Sequence, residues 1–542
     1  MKLERLHEYV TATVATIAGM TLAVMCGSLT GRGQTGVLFT ILLTLAIGAV
    51  VLGLKQRIWM LIPICWSLTG QIRELPVPFA VRDLLIITVF FISLIFIALK
   101  IVRGKAHYTP TDLVFFGMLI YLLTTFLRNP VGVDALNSTR VGGRPYFDVF
   151  IATLSFWIIS RVHVSDRESR TFPFLMAGGG MINGLISGIA FVFPFTVPWM
   201  VRFYSGVAVE TLNAAELNRL NSTTPVRHGY LGGLGINPLA VLFAFWRPAR
   251  ALNPLEWRLF LPAVLAGIAV LASGFRSLVL MTVVYFCISS YFRTGWRDII
   301  RLGLLAIPAL ALLIAGQGRL YNLPHNVQRS LSFLPGAWDY AATSDAKHSS
   351  DWRFFMWKVV LTEDKYIENK WLGDGFGFSK REWEQIKRTE AQGAVGDQES
   401  VMIVGGVHSG PISAIRCVGI LGLLLYTAML IMMARYAWRL IISAKGTAFF
   451  PLAIYLGSPR IYEPLNYWFI FGGFDSGFPQ SIFYLGLLNM LRNSLDRAVK
   501  IAPVEKAVPE QTIKRKRQPL MIGDDGMPAG LGPGPVWQPR PR

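Results

Sequence analysis

A chain of 542 residues with 53% hydrophobic side chains, only 15% charged ones and a mean hydropathy of +0.46 has too few charges to cover a soluble globule of that size. Its formal net charge of +20 would suit nucleic acid, but the basic residues cluster between apolar blocks, as the positive-inside rule expects of a membrane protein. Composition therefore excludes an ordinary soluble enzyme and a nucleic-acid-binding protein.

Met1 to Glu8 is short and charged, and no small-residue cleavage site follows it, so no signal peptide is expected. Fourteen apolar blocks approach the roughly 20 residues that a helix needs to cross a bilayer. They fall at 10–29, 36–54, 57–70, 83–101, 111–128, 146–161, 172–195, 230–247, 258–273, 276–292, 298–315, 411–434, 447–461 and 477–492. The third and thirteenth are short enough to be tilted or re-entrant. Cys26, Cys65, Cys287 and Cys417 lie inside such blocks and form no CxxC pair, which reads as small buried hydrophobes rather than ligands or disulfides.

Every second connection carries a basic cluster: Lys55 and Arg57; Lys100, Arg103 and Lys105; Arg161, Arg167 and Arg170; Arg247, Arg250 and Arg258; Arg293, Arg297 and Arg301; Arg435, Arg439 and Lys445. One register accommodates them all, with both termini in the cytoplasm. Four parts follow: a transmembrane bundle over 1–315, a large non-cytoplasmic loop over 316–410, further transmembrane helices over 411–495 and a basic Pro/Gly-rich tail over 496–542. The tail has too little apolar surface to fold alone, and its Lys514-Arg515-Lys516-Arg517 run suits anionic headgroups. Asp524-Asp525-Gly526 lacks the further carboxylates of a metal loop. There is no P-loop, HExxH or GxSxG motif, and no repeat of 20 to 50 residues. Gly373-Asp374-Gly375-Phe376-Gly377 has the wrong spacing for a dinucleotide fingerprint.

The register puts the tight turn Ser273-Gly274-Phe275-Arg276 in the same compartment as the large loop. Within that loop, Asp351 to Glu363 places Trp352, Phe355, Met356, Val359 and Val360 at helical spacing, with Arg353 beside the stripe. A turn-rich stretch over 371–377 and a mixed-charge segment from Lys380 to Glu399 follow. His408 stands where the loop meets the next span, placed to take a proton from a hydroxyl near neutral pH. If the helix runs on from Ser409, eleven residues put His408 and Gly419 on nearly one face. Gly419 and Gly422 then leave a thin flank for a close approach. Arg416 lies about 7 to 8 Å inside Pro411, so it either snorkels to the headgroups or faces a wet, anion-holding cavity. Arg276 reads either as an interface arginine or as a fork clamping phosphate. The other outer connections hold Arg73, Arg82, Arg128, Arg140, Arg144, Arg202, Arg219 and Arg227 and no lysine among the short ones, which points to an anionic, phosphate-bearing ligand.

These residues resemble the O-antigen ligase and O-antigen polymerase superfamily. His408-Ser409, nine residues, then Gly419-Ile420-Leu421-Gly422 is similar to its ligase pattern of a histidine, then Asn, Ser or Gln, nine residues and Gly-x-x-Gly. Arg353 with Trp357, and Trp371-Leu372-Gly373-Asp374-Gly375-Phe376-Gly377, resemble its loop signature, and Ser273 to Ser277 its outer turn. The resemblance covers roughly 260 to 435. It differs in having Ser409 for the commoner asparagine, Phe275 before Arg276, and fourteen candidate spans where twelve are usual.

The resemblance implies an all-α integral membrane protein of the bacterial inner membrane, a polytopic GT-C-like helical bundle of twelve to fourteen spans with a helical periplasmic loop. It implies transfer of a glycan from undecaprenyl diphosphate, at the periplasmic face, to an acceptor hydroxyl on another glycan, on lipid A–core or on a protein. Such lipopolysaccharide or exopolysaccharide assembly is inverting and needs no metal or other cofactor; membrane lipids and polysaccharide-assembly proteins are the expected partners. His408 would be the catalytic base, and Arg276 and Arg353 would hold the diphosphate; Arg416 joins them only on the cost of its burial. A transporter or flippase of lipid-linked oligosaccharides is the alternative, but it would need midplane substrate groups and repeats. A carboxylate-dependent glycosyltransferase would need an acidic motif in an early outer loop, where only Glu74 and Asp83 occur.

Overall fold

The computed structural model describes residues 53–71, 79–98, 108–131, 142–206, 227–378, 380–390, 394–405 and 407–506, with four positions before residue 53. The expected spans 10–29 and 36–54 fall almost wholly outside the described residues, as do Cys26, Arg73, Arg140, Arg219 and the basic tail run. The protein is 78% helical and has no strands among the described residues, so it is an all-α polytopic membrane protein.

The first half runs through α1 (Leu61–Cys65), α2 (Val81–Ala98), α3 (Pro110–Arg128), α4 (Arg144–Ile159), α5 (Asp166–Val192) and α6 (Val197–Phe203). It continues through α7 (Gly229–Phe245), α8 (Pro248–Ala251), α9 (Trp257–Ala272), α10 (Arg276–Thr294) and α11 (Trp296–Gly316). Of the described helices, α2, α3, α5, α10 and α11, with α16 below, are long and apolar enough to cross a membrane, while α7 and α9 are apolar but shorter. The third expected span is instead a 3-10 turn, Lys55–Met60, leading into the five-residue α1. Lipid replaces protein around the outermost helices: on α11, Leu305 is 70% exposed and Leu312 74%, tolerable only because a bilayer is as apolar as leucine.

The segment between α11 and the next long helix carries α12 (His325–Leu331), α13 (Tyr340–Thr362), α14 (Lys380–Glu390) and α15 (Ala394–Val404). The expected stripe on α13 is partly corrected. Met356 and Val360 are buried against Ile367, Met402, Val407 and Ile412, but Phe355 is 54% exposed. A hundred degrees per residue carries Phe355 past the edge of the covered face, where its ring stacks on Trp352.

The chain ends through α16 (Gly410–Ser443), α17 (Phe450–Leu465), a π-helical turn Asn466–Ile470 and α18 (Phe474–Lys506). Pro459 and Pro464 interrupt the hydrogen-bond ladder of α17. The aromatic core of the bundle lies where α3, α4, α16 and α18 meet, with Phe115, Phe156, Tyr426, Phe474 and Phe478 buried together. Inside it Tyr426 and Ser481 share a hydrogen bond of 3.0 Å, so the phenol oxygen is not left unpaired.

Candidate active site at the head of α16

The turn between α9 and α10 delivers Arg276 as the first residue of its helix. Gly274 has φ +79°, a conformation that glycine adopts without a Cβ penalty. Ser273 Oγ donates to Val270 O at 2.6 Å and accepts from Phe275 N at 3.3 Å. From the outer segment, the buried Arg329 donates to the carbonyl of Gly274, and Ser330 Oγ donates to Leu271 O at 2.8 Å. On the other side His228 N donates to Ser273 O at 3.1 Å, and the Arg227 guanidinium lies 6.0 Å from the Phe275 ring centre. The turn is thus clamped from two segments remote in sequence.

Arg353 on α13 lies within electrostatic reach of this turn. Its burial, then the like charges of Arg276, Arg227 and Arg329, lower its tendency to hold a proton. Guanidinium remains protonated through any physiological range. The shift therefore reports crowding of positive charge rather than neutralisation.

His408 joins the group at its edge. Trp357 Nε1 on α13 donates to Val407 O at 2.8 Å, and Tyr467 OH donates to Gly410 O at 2.6 Å, holding the chain on both sides of the histidine. His408 has φ +50°, the left-handed region that few residues other than glycine enter. Its side chain stays exposed, with the Phe471 ring stacked at 5.4 Å and an interplanar angle of 27°. Packing around the ring, then the charges of Arg353 and Arg227, push its pKa below the usual 6.5. The imidazole is accordingly neutral at pH 7, with a lone pair available to accept a proton. Arg276 enters the group through its effect on Arg353.

The expectation that one unbroken helix aligns His408 with Gly419 is wrong. The helix starts at Gly410, and at Gly419 the backbone turns to φ 69°, ψ −178°. In a continuous helix Ile420 N and Leu421 N would donate to Arg416 O and Cys417 O. Here those carbonyls accept from Asp374 N at 2.8 Å and Gly375 N at 3.0 Å, while Ile420 N and Leu421 N donate to Lys370 O at 2.9 Å and Trp371 O at 3.3 Å. Residues 370–375 therefore replace the two helical rungs that would span the break. Gly373, Gly375 and Gly377 all have positive φ, and a Cβ on Gly419 would overlap the Trp371 carbonyl. Asp374 secures the turn by accepting from Glu368 N at 3.0 Å and Asn369 N at 2.9 Å. A Cβ added at Gly422 would overlap the Val418 side chain and come within 3.0 Å of Tyr121 Cε1.

Arg416 occupies a different space. It lies 4.9 Å over the Phe378 ring, donates weakly to Val404 O at 3.4 Å, and keeps a buried Nε without a hydrogen-bond partner. With Asp475 and Ser413 it lines a cavity that His408 does not line.

Arg329 and Phe471 escaped the sequence reading. Nothing in a lone arginine of a polar loop, or in a phenylalanine beyond the thirteenth span, marks the first as a neighbour of Gly274 and Arg353 or the second as a neighbour of His408. Arg227 had a weaker signal, standing directly before the apolar run that becomes α7.

Residues 261–427 match the O-antigen ligase family model, a stretch from α9 into α16 that contains Arg276, Arg353, His408, Arg416, Gly419 and Gly422. No curated protein matches the chain. The match indicates glycan transfer of the O-antigen ligase or polymerase type, with a lipid-linked glycan and an acceptor as substrates, in a multi-pass membrane protein.

Proposed function

We propose that this chain, through its O-antigen ligase domain, transfers a glycan from undecaprenyl diphosphate to an acceptor hydroxyl at the periplasmic face of a bacterial inner membrane. The observation carrying this reading is that the charges of Arg276 and Arg227 act on Arg353, and those of Arg353 and Arg227 act on His408 at the head of α16.

In the proposed reaction the acceptor hydroxyl attacks the anomeric carbon of the donor sugar from the face opposite the diphosphate. His408 takes the hydroxyl proton as the new C–O bond forms, which inverts the anomeric centre. The bond from that carbon to the diphosphate oxygen breaks, and the leaving group keeps the electron pair. Arg276, Arg353 and Arg227 face the negative charge that develops there, in surroundings partly shielded from water where such stabilisation is strong. Guanidinium forks bind the two phosphates bidentately and supply the countercharge for which other transferases use a divalent cation. Arg416, in its separate cavity, is assigned to contacts with the bound glycan rather than to the leaving group.

Purified full-length protein incubated with a lipid-linked repeat unit tests this directly. Released undecaprenyl diphosphate should accumulate together with a longer or newly attached glycan, with or without EDTA. Passage of the intact donor across vesicle membranes without cleavage would mean a flippase instead. Lengthening without any other acceptor would identify a polymerase.

A further inference from the structure

We propose that the end of α16 remote from His408 holds a phosphate-bearing headgroup of an anionic membrane lipid, in an open cavity between α3, α16 and α18. Arg435 and Arg439 stand one helical turn apart on α16, so they present the same face, and Arg492 reaches the same cavity from α18. Asp496 is the one carboxylate among the lining residues, 3.6 Å from Arg492, so three positive charges against one negative leave a formal +2.

Basic residues at cytoplasmic helix ends are ordinary, but these are mounted on a fixed wall. Behind the cavity Tyr436 OH donates to Asn489 Oδ1 at 3.0 Å, and Asn489 Nδ2 donates to Asp112 Oδ1 at 2.8 Å. Asp112 in turn accepts from Thr109 Oγ1 at 2.7 Å. Asn489 and Asp112 are fully or almost fully buried. This polar chain ties α16, α18 and α3 together, so the arginines converge without the cost of ordering three separate helices on binding.

Position selects the ligand. Beyond the break at Gly419, the helix from Ile420 to Arg439 alone rises about 28 Å, close to the thickness of the hydrocarbon core. The cavity therefore opens at the membrane face opposite His408, which the basic-cluster register makes cytoplasmic, the leaflet where anionic headgroups attract arginine. Met432, Leu440 and Leu495 add apolar lining suited to a glycerol and acyl stem. A soluble phosphate shares the headgroup's chemistry but has no use for that lining. The inference does not rest on the proposed transfer reaction.

Full-length protein in nanodiscs provides the test, comparing phosphatidylcholine alone with discs in which a third of the lipid is phosphatidylglycerol. Retained phosphatidylglycerol should be detected by native mass spectrometry, and the melting temperature should rise in its presence. Each of Arg435→Gln, Arg439→Gln and Arg492→Gln should weaken retention about fivefold, and the Arg435→Lys/Arg439→Lys pair should keep most of it because charge is retained. If the triple Gln variant fails to fold, the single variants and the Lys pair still decide. Unchanged retention in all of them would overturn the proposal. So would an equal thermal shift from inorganic phosphate in phosphatidylcholine discs.

Discussion

Two groups of arginines at the same end of the bundle are handled in opposite ways. Between α2 and α4, Arg82 and Arg144 are buried and matched by Asp83 and Asp148, with Arg144–Asp83 at 2.5 Å and Arg82–Asp148 at 2.6 Å. Around α13, the neighbours that act on Arg353 are three further arginines, which press on it with like charge. The first arrangement cancels its own field and pins two helices together. In the second, like charges act on Arg353, and on the proposed function an incoming diphosphate would relieve them. On the proposed function the first group is structural and the second meets the substrate, a distinction that a count of outer arginines does not make.

The sharpest way to break this comparison lies in the second group. His408→Ala should lower transfer about 100- to 10 000-fold, the range of a lost general base, while insertion and melting temperature stay unchanged. Wild-type turnover in purified His408→Ala would refute the base assignment. Arg276→Lys should be nearly as damaging as Arg276→Ala, because an ammonium supplies charge but not the bidentate fork. Full activity in the lysine variant would remove Arg276 from the clamp.

The first group should answer in stability instead. Asp83→Ala leaves Asp148 alone against both Arg144 and Arg82, and breaking a buried pair such as Arg144–Asp83 costs about 3–5 kcal/mol. Thermal denaturation in detergent should reveal that loss, while activity per folded molecule stays within about twofold, since only the field around His408 is asked to act in the reaction. A stable but inactive Asp83→Ala protein would mean that the matched arginines also serve the site.

Much of the architecture was legible because bilayers constrain it: apolar blocks became helices, and the turn before Arg276 emerged at the start of α10. What escaped was set by tertiary hydrogen bonds. The periodicity around Gly419 reads as one helix, since no local signal announces that residues 370–375 will supply the missing rungs. Likewise Arg353 could be picked out beside its stripe, whereas Arg329 could not. Its role is to donate to Gly274 O across 55 residues of chain. Gly419→Ala tests that hidden dependence. The left-handed backbone alone would cost about 1–3 kcal/mol, with overlap on the Trp371 carbonyl added. Limited proteolysis should then open the 366–378 stretch, and a protection pattern like that of the unaltered protein would show that the docked turn tolerates a methyl group.

The smallest expected effect discriminates most finely between charge and shape. Packing around the ring, then Arg353 and Arg227, hold the His408 pKa below 6.5, so its imidazole accepts a proton only in more acid solution than an ordinary histidine. The acid limb of the transfer rate should accordingly lie below 6.5. Neutralising a neighbouring cation removes one of the terms that disfavour imidazolium. The limb should therefore move to higher pH in Arg353→Gln, and by less in Arg227→Gln, following the order in which the two charges act. Residual turnover in these variants is enough, because the position of the limb, not its height, is the readout. A limb that stays in place when both charges are removed would leave packing alone as the cause. It would then separate the arginines from the base and reduce the second group to a binding surface.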